Sequence, residues 1–99
     1  MNTFKAYQNR PILDKQENIY NGSYIIDEEM TIRVKDGFLN DDIDPDTNDF
    51  LPAIELANGT HYEHWKDGLL HCDNGPAVVD LLDNYEEWWQ NGKQVPSQK

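Results

Sequence analysis

The sequence reads HYEHWKDG at residues 61–68 and YEEWWQNG at residues 85–92, so the same pattern returns 24 positions later. At the same offset, an earlier PAI returns as PAV. A fixed period of this length is typical of a repeated supersecondary unit. We therefore divide this part of the chain into two units of equal length, residues 52–75 and 76–99.

Turn signals divide each unit into short strands. All six glycines of the chain follow Asn or Asp, at positions 22, 37, 59, 68, 75 and 92. Asn-Gly and Asp-Gly pairs favour two-residue hairpin turns, because these residues tolerate the positive φ that a type I′ turn requires. The sequence therefore predicts an all-β fold, an antiparallel β-meander of hairpin repeats with about seven to nine strands in a single small curled sheet or sandwich. It also predicts positive φ at Gly59 and Gly68.

Strand parity assigns the side chains of the repeated motif to two faces, since alternate residues of a strand point to opposite sides of the sheet. The face that carries Glu63 and Trp65 in the first unit carries Glu87 and Trp89 in the second. We expect the tryptophans to pack in the core, where aromatic side chains bury a large apolar area. The alternative is an aromatic binding surface on the same strands. The predicted core residues are Trp65, Trp89, Leu56, Ile54, Val78, Ile32 and Tyr24.

A third, degraded copy of the unit is predicted at about residues 21–51. KDGFLN at residues 35–40 matches KDGLLH at residues 66–71, at an offset of 31 instead of 24. The difference predicts an insertion of about seven residues between Asn40 and Pro52. Residues 1–15 are the least readable part of the chain, whereas Ile19-Tyr20 and residues 23–26 are predicted to form a hairpin with its turn at Asn21-Gly22.

The string WKDGLLH at residues 65–71, followed by GPA at residues 75–77, resembles repeats of bacterial and phage proteins. Those repeats read W-x-x-G-x-x-H, a short polar stretch and then G-P-A. They are similar to MORN-type repeats, and the resemblance implies meandering β-hairpins with a protein-binding or scaffolding role. The match covers residues 52–92, and the second copy departs from it because Val95 stands where the repeat has His.

Composition indicates one small domain over residues 1–99 with strong negative charge. The chain has 19 acidic and 8 basic residues, a formal net charge of −11, and 37% hydrophobic residues. No stretch reaches the 18 apolar residues of a transmembrane helix, and the start lacks the apolar region of a signal peptide. The single cysteine, Cys72, excludes an internal disulfide. These features predict a cytoplasmic protein without membrane contacts.

The negative charge is concentrated in residues 27–55, which carry ten acids and two bases. Its centre is the predicted insertion, DDIDPDTND at residues 41–49. Direct nucleic-acid binding is not expected, because phosphate contacts need Lys and Arg, whereas an acidic surface attracts a protein partner with a basic surface. Insertions in repeat proteins form loops that often lie on the binding face. The predicted partner-binding residues are Asp41, Asp42, Asp44, Asp46, Asp49, Glu28 and Glu29.

The same loop has part of a calcium-binding pattern. Asp44, Asp46, Asn48 and Glu55 occupy positions 1, 3, 5 and 12 of an EF-hand loop. Against this, Asp49 stands where the sharp turn of that loop needs Gly, and no helix is predicted on either side. A solvated acidic loop is therefore the preferred interpretation.

Soft-metal ligands are present but poorly arranged. Neighbouring side chains on an extended strand point to opposite faces, so strand spacing does not bring any two of these ligands together as a metal-binding pair. The sequence therefore does not predict a zinc site. The candidate ligands are His61, His64, His71 and Cys72.

Glu63 and Glu87, at equivalent positions beside the two tryptophans, are the candidates for a catalytic carboxylate pair. Repetition of the unit explains their similarity more simply. The chain has no Ser-His-Asp order, no phosphate-binding glycine loop and no Cys beside a base. We therefore expect a protein that is not an enzyme and that holds no cofactor.

Two functions remain open from the sequence. One is a small acidic inhibitor, similar in type to the anti-CRISPR and other inhibitors that phages use against host defence nucleases, which blocks a basic nucleic-acid-binding partner. The other is a MORN-like scaffold or adaptor that binds through its aromatic strands. Salt sensitivity of binding distinguishes the two, because only the first depends on charge.

Overall fold

A computed structural model describes residues 7–13, 16, 21–26 and 29–97 of the protein. Within these residues the chain is almost entirely strand and turn, which confirms the all-β antiparallel prediction. There are more strands than predicted, because the insertion forms two of its own and the chain leaves the main sheet at His64. The strands are β1 (Gly22–Ile26), β2 (Met30–Lys35), β3 (Phe38–Leu39), β4 (Asp42–Ile43), β5 (Phe50–Leu51), β6 (Ile54–Leu56), β7 (His61–Glu63), β8 (Trp65–Lys66), β9 (Leu69–Leu70), β10 (Val78–Asp80), β11 (Tyr85–Gln90) and β12 (Lys93–Val95).

The main sheet is open and every pair of neighbouring strands in it is antiparallel. Its order is β1-β2-β6-β7-β10-β11-β12, with β3 paired to β2 as well. Two small hairpins, β4–β5 and β8–β9, leave this sheet and return to it. The meander therefore follows the order of the chain, with each excursion placed between two neighbouring strands of the sheet.

The core lies on one face of this sheet. Register places Ile54 opposite Glu63, Glu63 opposite Val78, and Val78 opposite Glu87, so these four side chains form one row across four strands. Side chains directly opposite each other pack together. Of the predicted core, the side chain of Tyr24 is outside the described part of the structure and Leu56 is half-buried. The confirmed core residues are Ile32, Ile54, Trp65, Val78 and Trp89.

Three Asx-Gly pairs form the two-residue hairpin turns that the sequence predicts. They lie at residues 36–37, 67–68 and 91–92, and both residues of each pair have positive φ, as a type I′ turn requires. Each later turn binds the preceding hairpin, since Gly68 N donates to Leu39 O and Gly92 N to Leu70 O, both at 2.9 Å. The three turns therefore stack in a row.

The other Asx-Gly pairs are not type I′ turns. At Asn58-Gly59, the glycine has a φ of +74° as predicted, but Asn58 has no positive φ, and its Oδ1 accepts the N–H of Thr60 at 3.0 Å. Gly22 is the first residue of β1, and Gly75 does not have positive φ. Ile19 and Tyr20, the predicted first arm of a hairpin at Gly22, lie outside the described residues.

The segment at residues 7–13 crosses the row of stacked turns. It supplies a donor to the glycine carbonyl of each turn, in the reverse of chain order. Gln8 also joins two hairpins, because its Oε1 accepts the N–H of Leu70 at 2.9 Å. The three donations run from Ile12 N to Gly37 O, from Asn9 N to Gly68 O, and from Gln8 Nε2 to Gly92 O.

Candidate protein-binding surface

The acidic insertion at residues 41–49 is folded as part of a short hairpin. Strands β4 and β5 pair in antiparallel register, with Ile43 directly opposite Phe50. At the turn end of this pair, Asp44 N donates to Asp49 O at 2.9 Å. The hairpin belongs to neither of the other two sheets. We call residues 41–51 the acidic hairpin.

Side chains of the turn hold its own backbone in place. Asp44 Oδ1 accepts the N–H of Asp46 at 2.9 Å, and Thr47 Oγ1 accepts the N–H of Asp49 at 3.3 Å. Asn48 N closes the turn by donating to Asp44 O at 2.8 Å. A turn fixed in this way loses little conformational entropy when a partner binds it.

Asp41 anchors the base of the acidic hairpin to the sheet. Its Oδ1 accepts two backbone N–H groups, from Ala53 at 2.8 Å and from Trp65 at 2.9 Å. Its Oδ2 pairs with His64 Nδ1 at 2.7 Å, and the side chain is only 11% exposed. Of the five aspartates of the insertion that are predicted to bind a partner, Asp41 is therefore mostly buried and bonded within the fold. Its carboxylate is needed to satisfy buried donors.

The other predicted partner-binding residues do not all lie on the acidic hairpin. Asp44 is half-buried and lies on the acidic hairpin. Glu29 is exposed, but its carbonyl accepts the N–H of Ala57, at the opposite end of β6 from the hairpin. Glu28 lies outside the described residues. The acidic hairpin thus carries three exposed acidic residues, Asp42, Asp46 and Asp49.

An exposed apolar pair lies among these acids. Ile43 is 49% exposed and Phe50 is 58% exposed. Contiguous apolar surface on a protein commonly marks an interaction site. The sequence interpretation missed this pair because it weighed only the charges of the insertion; Ile43 within a run of aspartates was the available signal.

Glu63 and Glu87, the candidates for a catalytic pair, are buried separately. Their side chains lie on either side of Val78, two strand spacings or roughly 10 Å apart. Each Oε1 accepts the indole N–H of the tryptophan two residues later: Trp65 Nε1 at 3.1 Å for Glu63, and Trp89 Nε1 at 2.8 Å for Glu87. The structure therefore does not bring the two carboxylates together, and it gives each of them a role in the core.

A second donor completes each buried carboxylate. His61 Nε2 pairs with Glu63 Oε2 at 2.8 Å, and its Nδ1 pairs with Asp80 Oδ2 at 3.3 Å. Because both ring nitrogens face carboxylates, the imidazolium form satisfies both contacts. The hydrogen bond to Glu63 is the main reason that the pKa of His61 is raised above 6.5. In the second unit Tyr85 OH donates to Glu87 Oε2, which raises the pKa of Tyr85 above 10.

The other candidate metal ligands are engaged in different parts of the fold. His64 pairs with Asp41 at the hairpin base, whereas His71 Nδ1 accepts the N–H of Asn91 at 3.0 Å. Cys72 is half-buried, and burial raises the pKa of its thiol above 9.0. Over the described ranges, no group of three or more His, Cys, Asp and Glu side chains is arranged to hold a metal ion.

The EF-hand spacing is not reflected in the contacts of the hairpin. Glu55, at the twelfth position, lies on β6, where its Oε1 pairs with Arg33 at 3.0 Å. Asp44, at the first position, uses Oδ1 to hold the turn. These contacts give both carboxylates structural roles.

A shallow cleft of about 500 Å³ lies beside β11 and β12. Its lining includes Tyr85, Trp88 and Gln94. Trp65 and Trp89 are buried, so the aromatic surface considered from the sequence is reduced to side chains such as Tyr85 and the half-buried Trp88.

No helix in the described part of the chain is long and apolar enough to cross a membrane. Comparisons with protein-family models, with curated proteins and with solved structures found no match to this chain. The resemblance to MORN-type repeats therefore stays a prediction from the sequence.

Proposed function

We propose that this protein is a non-enzymatic, acidic binding module that inhibits a basic nucleic-acid-binding protein in the cytoplasm. The observation that carries the proposal is the acidic hairpin. Asp42, Asp46 and Asp49 are exposed on it, while Asp41 and Asp44 are used to fix its backbone. Charge is thus presented on a segment whose shape is set in advance.

The charge of the whole chain supports the same partner class. With a net charge of −11, the protein repels nucleic acid and attracts a surface rich in Lys and Arg. Electrostatic complementarity raises the rate of encounter more than it raises affinity, and added salt weakens it. A protein with these properties competes with nucleic acid for a basic channel.

The test is capture from a host-cell lysate on immobilised protein, followed by elution with sheared nucleic acid. We expect nucleic-acid-binding proteins to be retained at low salt, to be released by nucleic acid, and to lose nucleic-acid binding when the purified inhibitor is added back. Retained proteins that nucleic acid cannot displace would contradict the proposal.

Variants of exposed acidic residues show which charges contribute to partner binding. Replacing Asp42, Asp46 and Asp49 by Asn should slow association by about tenfold or more at low salt. A matched control removes three exposed charges elsewhere, with Asp36→Asn, Asp67→Asn and Asp83→Asn. If both triple variants lose the same binding, net charge alone is responsible and the acidic hairpin is not the contact.

The second candidate, a scaffold that binds through aromatic strands, is favoured by the cleft beside Tyr85 and Trp88. Binding of this kind depends on apolar contact, so salt should change it little. Trp88→Ala should abolish it, while the triple Asn variant of the hairpin should leave it unchanged.

A further inference from the structure

We propose that the exposed pair Ile43–Phe50 docks into a channel that normally holds single-stranded nucleic acid on the protein partner. In this arrangement the apolar pair occupies the place of stacked bases, and carboxylates of the same hairpin occupy the place of phosphates. The inference rests on the proposed function and deepens it by naming the class of channel.

The apolar pair forms one side of the acidic hairpin. Ile43 and Phe50 are direct cross-strand neighbours, so their side chains share a face and their Cβ atoms lie about 5 Å apart. Roughly half of each side chain is exposed, 49% for Ile43 and 58% for Phe50. Since the two side chains share a face, their exposed parts together form an apolar surface.

The charge lies on the other side and at the tip. Strand parity directs Asp42, which precedes Ile43 on β4, to the opposite face of the hairpin. Asp46 lies in the turn. The hairpin therefore presents the apolar pair on one face, while the other face carries Asp42 and its half-buried cross-strand partner Leu51.

A partner surface must match both sides at once. Channels for single-stranded nucleic acid combine a positively charged groove, which follows the phosphates, with aromatic side chains on which bases stack. Duplex-binding surfaces are dominated by phosphate contacts and offer no comparable platform for an inserted ring. Charge complementarity together with the apolar face thus favours the single-strand channel.

Rigidity supports insertion of the hairpin as a unit. The carboxylate of Asp41 holds the backbone of Ala53 at one end, and the hydrogen bond from Asp44 N to Asp49 O closes the other. The apolar pair lies between these two fixed points. Little ordering is left to occur on binding, so the contact area contributes to affinity with a small entropic loss.

The experiment uses three defined competitors against the captured partner and the full-length protein. They are single-stranded oligo-dT, an abasic oligonucleotide of the same length, and a duplex of the same length. Oligo-dT should displace the protein at a concentration about tenfold or more below that of the abasic strand, because only oligo-dT carries bases to stack. The duplex should be the poorest competitor.

Variants separate the apolar contact from the charge. The double variant Ile43→Ser/Phe50→Ser should dissociate about tenfold or more faster while its association rate and salt dependence stay as in the wild type. Leu81→Ser/Leu82→Ser is the matched control, since these residues are 61% and 78% exposed on another turn, and it should bind as the wild type does. Phe50→Leu keeps an apolar side chain but removes the ring, so it should dissociate at a rate between those of the wild type and the double variant. It provides the test if the double variant folds poorly.

The outcomes distinguish this inference from the proposed function. If the duplex competes as well as oligo-dT, or if the double Ser variant dissociates like the wild type, the single-strand channel is refuted and a basic partner of another class remains. If no nucleic acid displaces the protein, the proposed function fails together with this inference.

Discussion

Removing the carboxylate of Asp41 should lower the free energy of unfolding by a large fraction, although the residue belongs to the acidic hairpin. In Asp41→Ala the N–H groups of Ala53 and Trp65 lose their acceptor, and both residues are buried, with 0% and 1% exposure. An unsatisfied buried donor costs about 1–3 kcal/mol, so the two together cost about 2–6 kcal/mol. That is a large part of the roughly 5–15 kcal/mol that stabilises a small domain.

The measurement is urea unfolding followed by tryptophan fluorescence, with Asp42→Ala as the matched control. Asp42 is the exposed neighbour, and its removal should change the free energy of unfolding by no more than about 0.5 kcal/mol. Asp41→Asn keeps an acceptor for the two N–H groups and should lie between the two Ala variants. Hydrogen exchange at the amides of Ala53 and Trp65 should become faster in Asp41→Ala. If Asp41→Ala and Asp42→Ala unfold at the same urea concentration, the anchoring role of Asp41 is refuted.

Gly68→Ala should cost more than about 1 kcal/mol and more than Gly59→Ala, because an added Cβ at Gly68 would lie 2.7 Å from the ring of Phe38, whereas nothing lies within 4 Å of one at Gly59. Equal losses of stability for the two variants in thermal melts would mean that backbone strain alone, and not the contact with Phe38, sets the cost. The folded-state pKa of His61 is raised, so its stabilising contribution is complete below pH 6.5 and is lost as the pH rises through the folded-state value. The stability difference between wild type and His61→Gln should therefore shrink with rising pH, and a difference that grows would contradict the ion-pair assignment. Trp65→Ala should cost about 3–5 kcal/mol, and Trp65→Phe should cost less because ring packing is partly kept; calorimetry that finds either variant as stable as the wild type would exclude this tryptophan from the core.

Local patterns predicted the parts of the fold that depend on neighbouring residues. Parity predicted that Glu63 and Trp65 lie on the same side of the chain, and both are buried and bonded to each other, although the chain leaves the main sheet between them at His64. The turn at Gly68 followed from its Asp-Gly pair. At Asn58-Gly59 the same chemistry gave a different turn, since hairpin register there leaves a longer connection between β6 and β7.

Contacts with distant main-chain groups could not be predicted. Asp41 binds the N–H of Trp65, and Gln8 binds the carbonyl of Gly92, 84 positions away. A backbone group is present at every residue, so the sequence carries no mark of which one a side chain will bind. The candidate site was therefore found as a charged segment, but its internal division into anchoring and exposed acids required the structure.

The segment at residues 7–13 has a consequence for how this chain can change in length over evolution. It spans three stacked turns and supplies one donor to each glycine carbonyl. Duplication of one 24-residue unit of the sequence would add a fourth turn, while the segment would still span three. The carbonyl of a fourth turn would therefore have no donor from this segment unless the segment were lengthened as well, which gives a simple rule for extending the array by design.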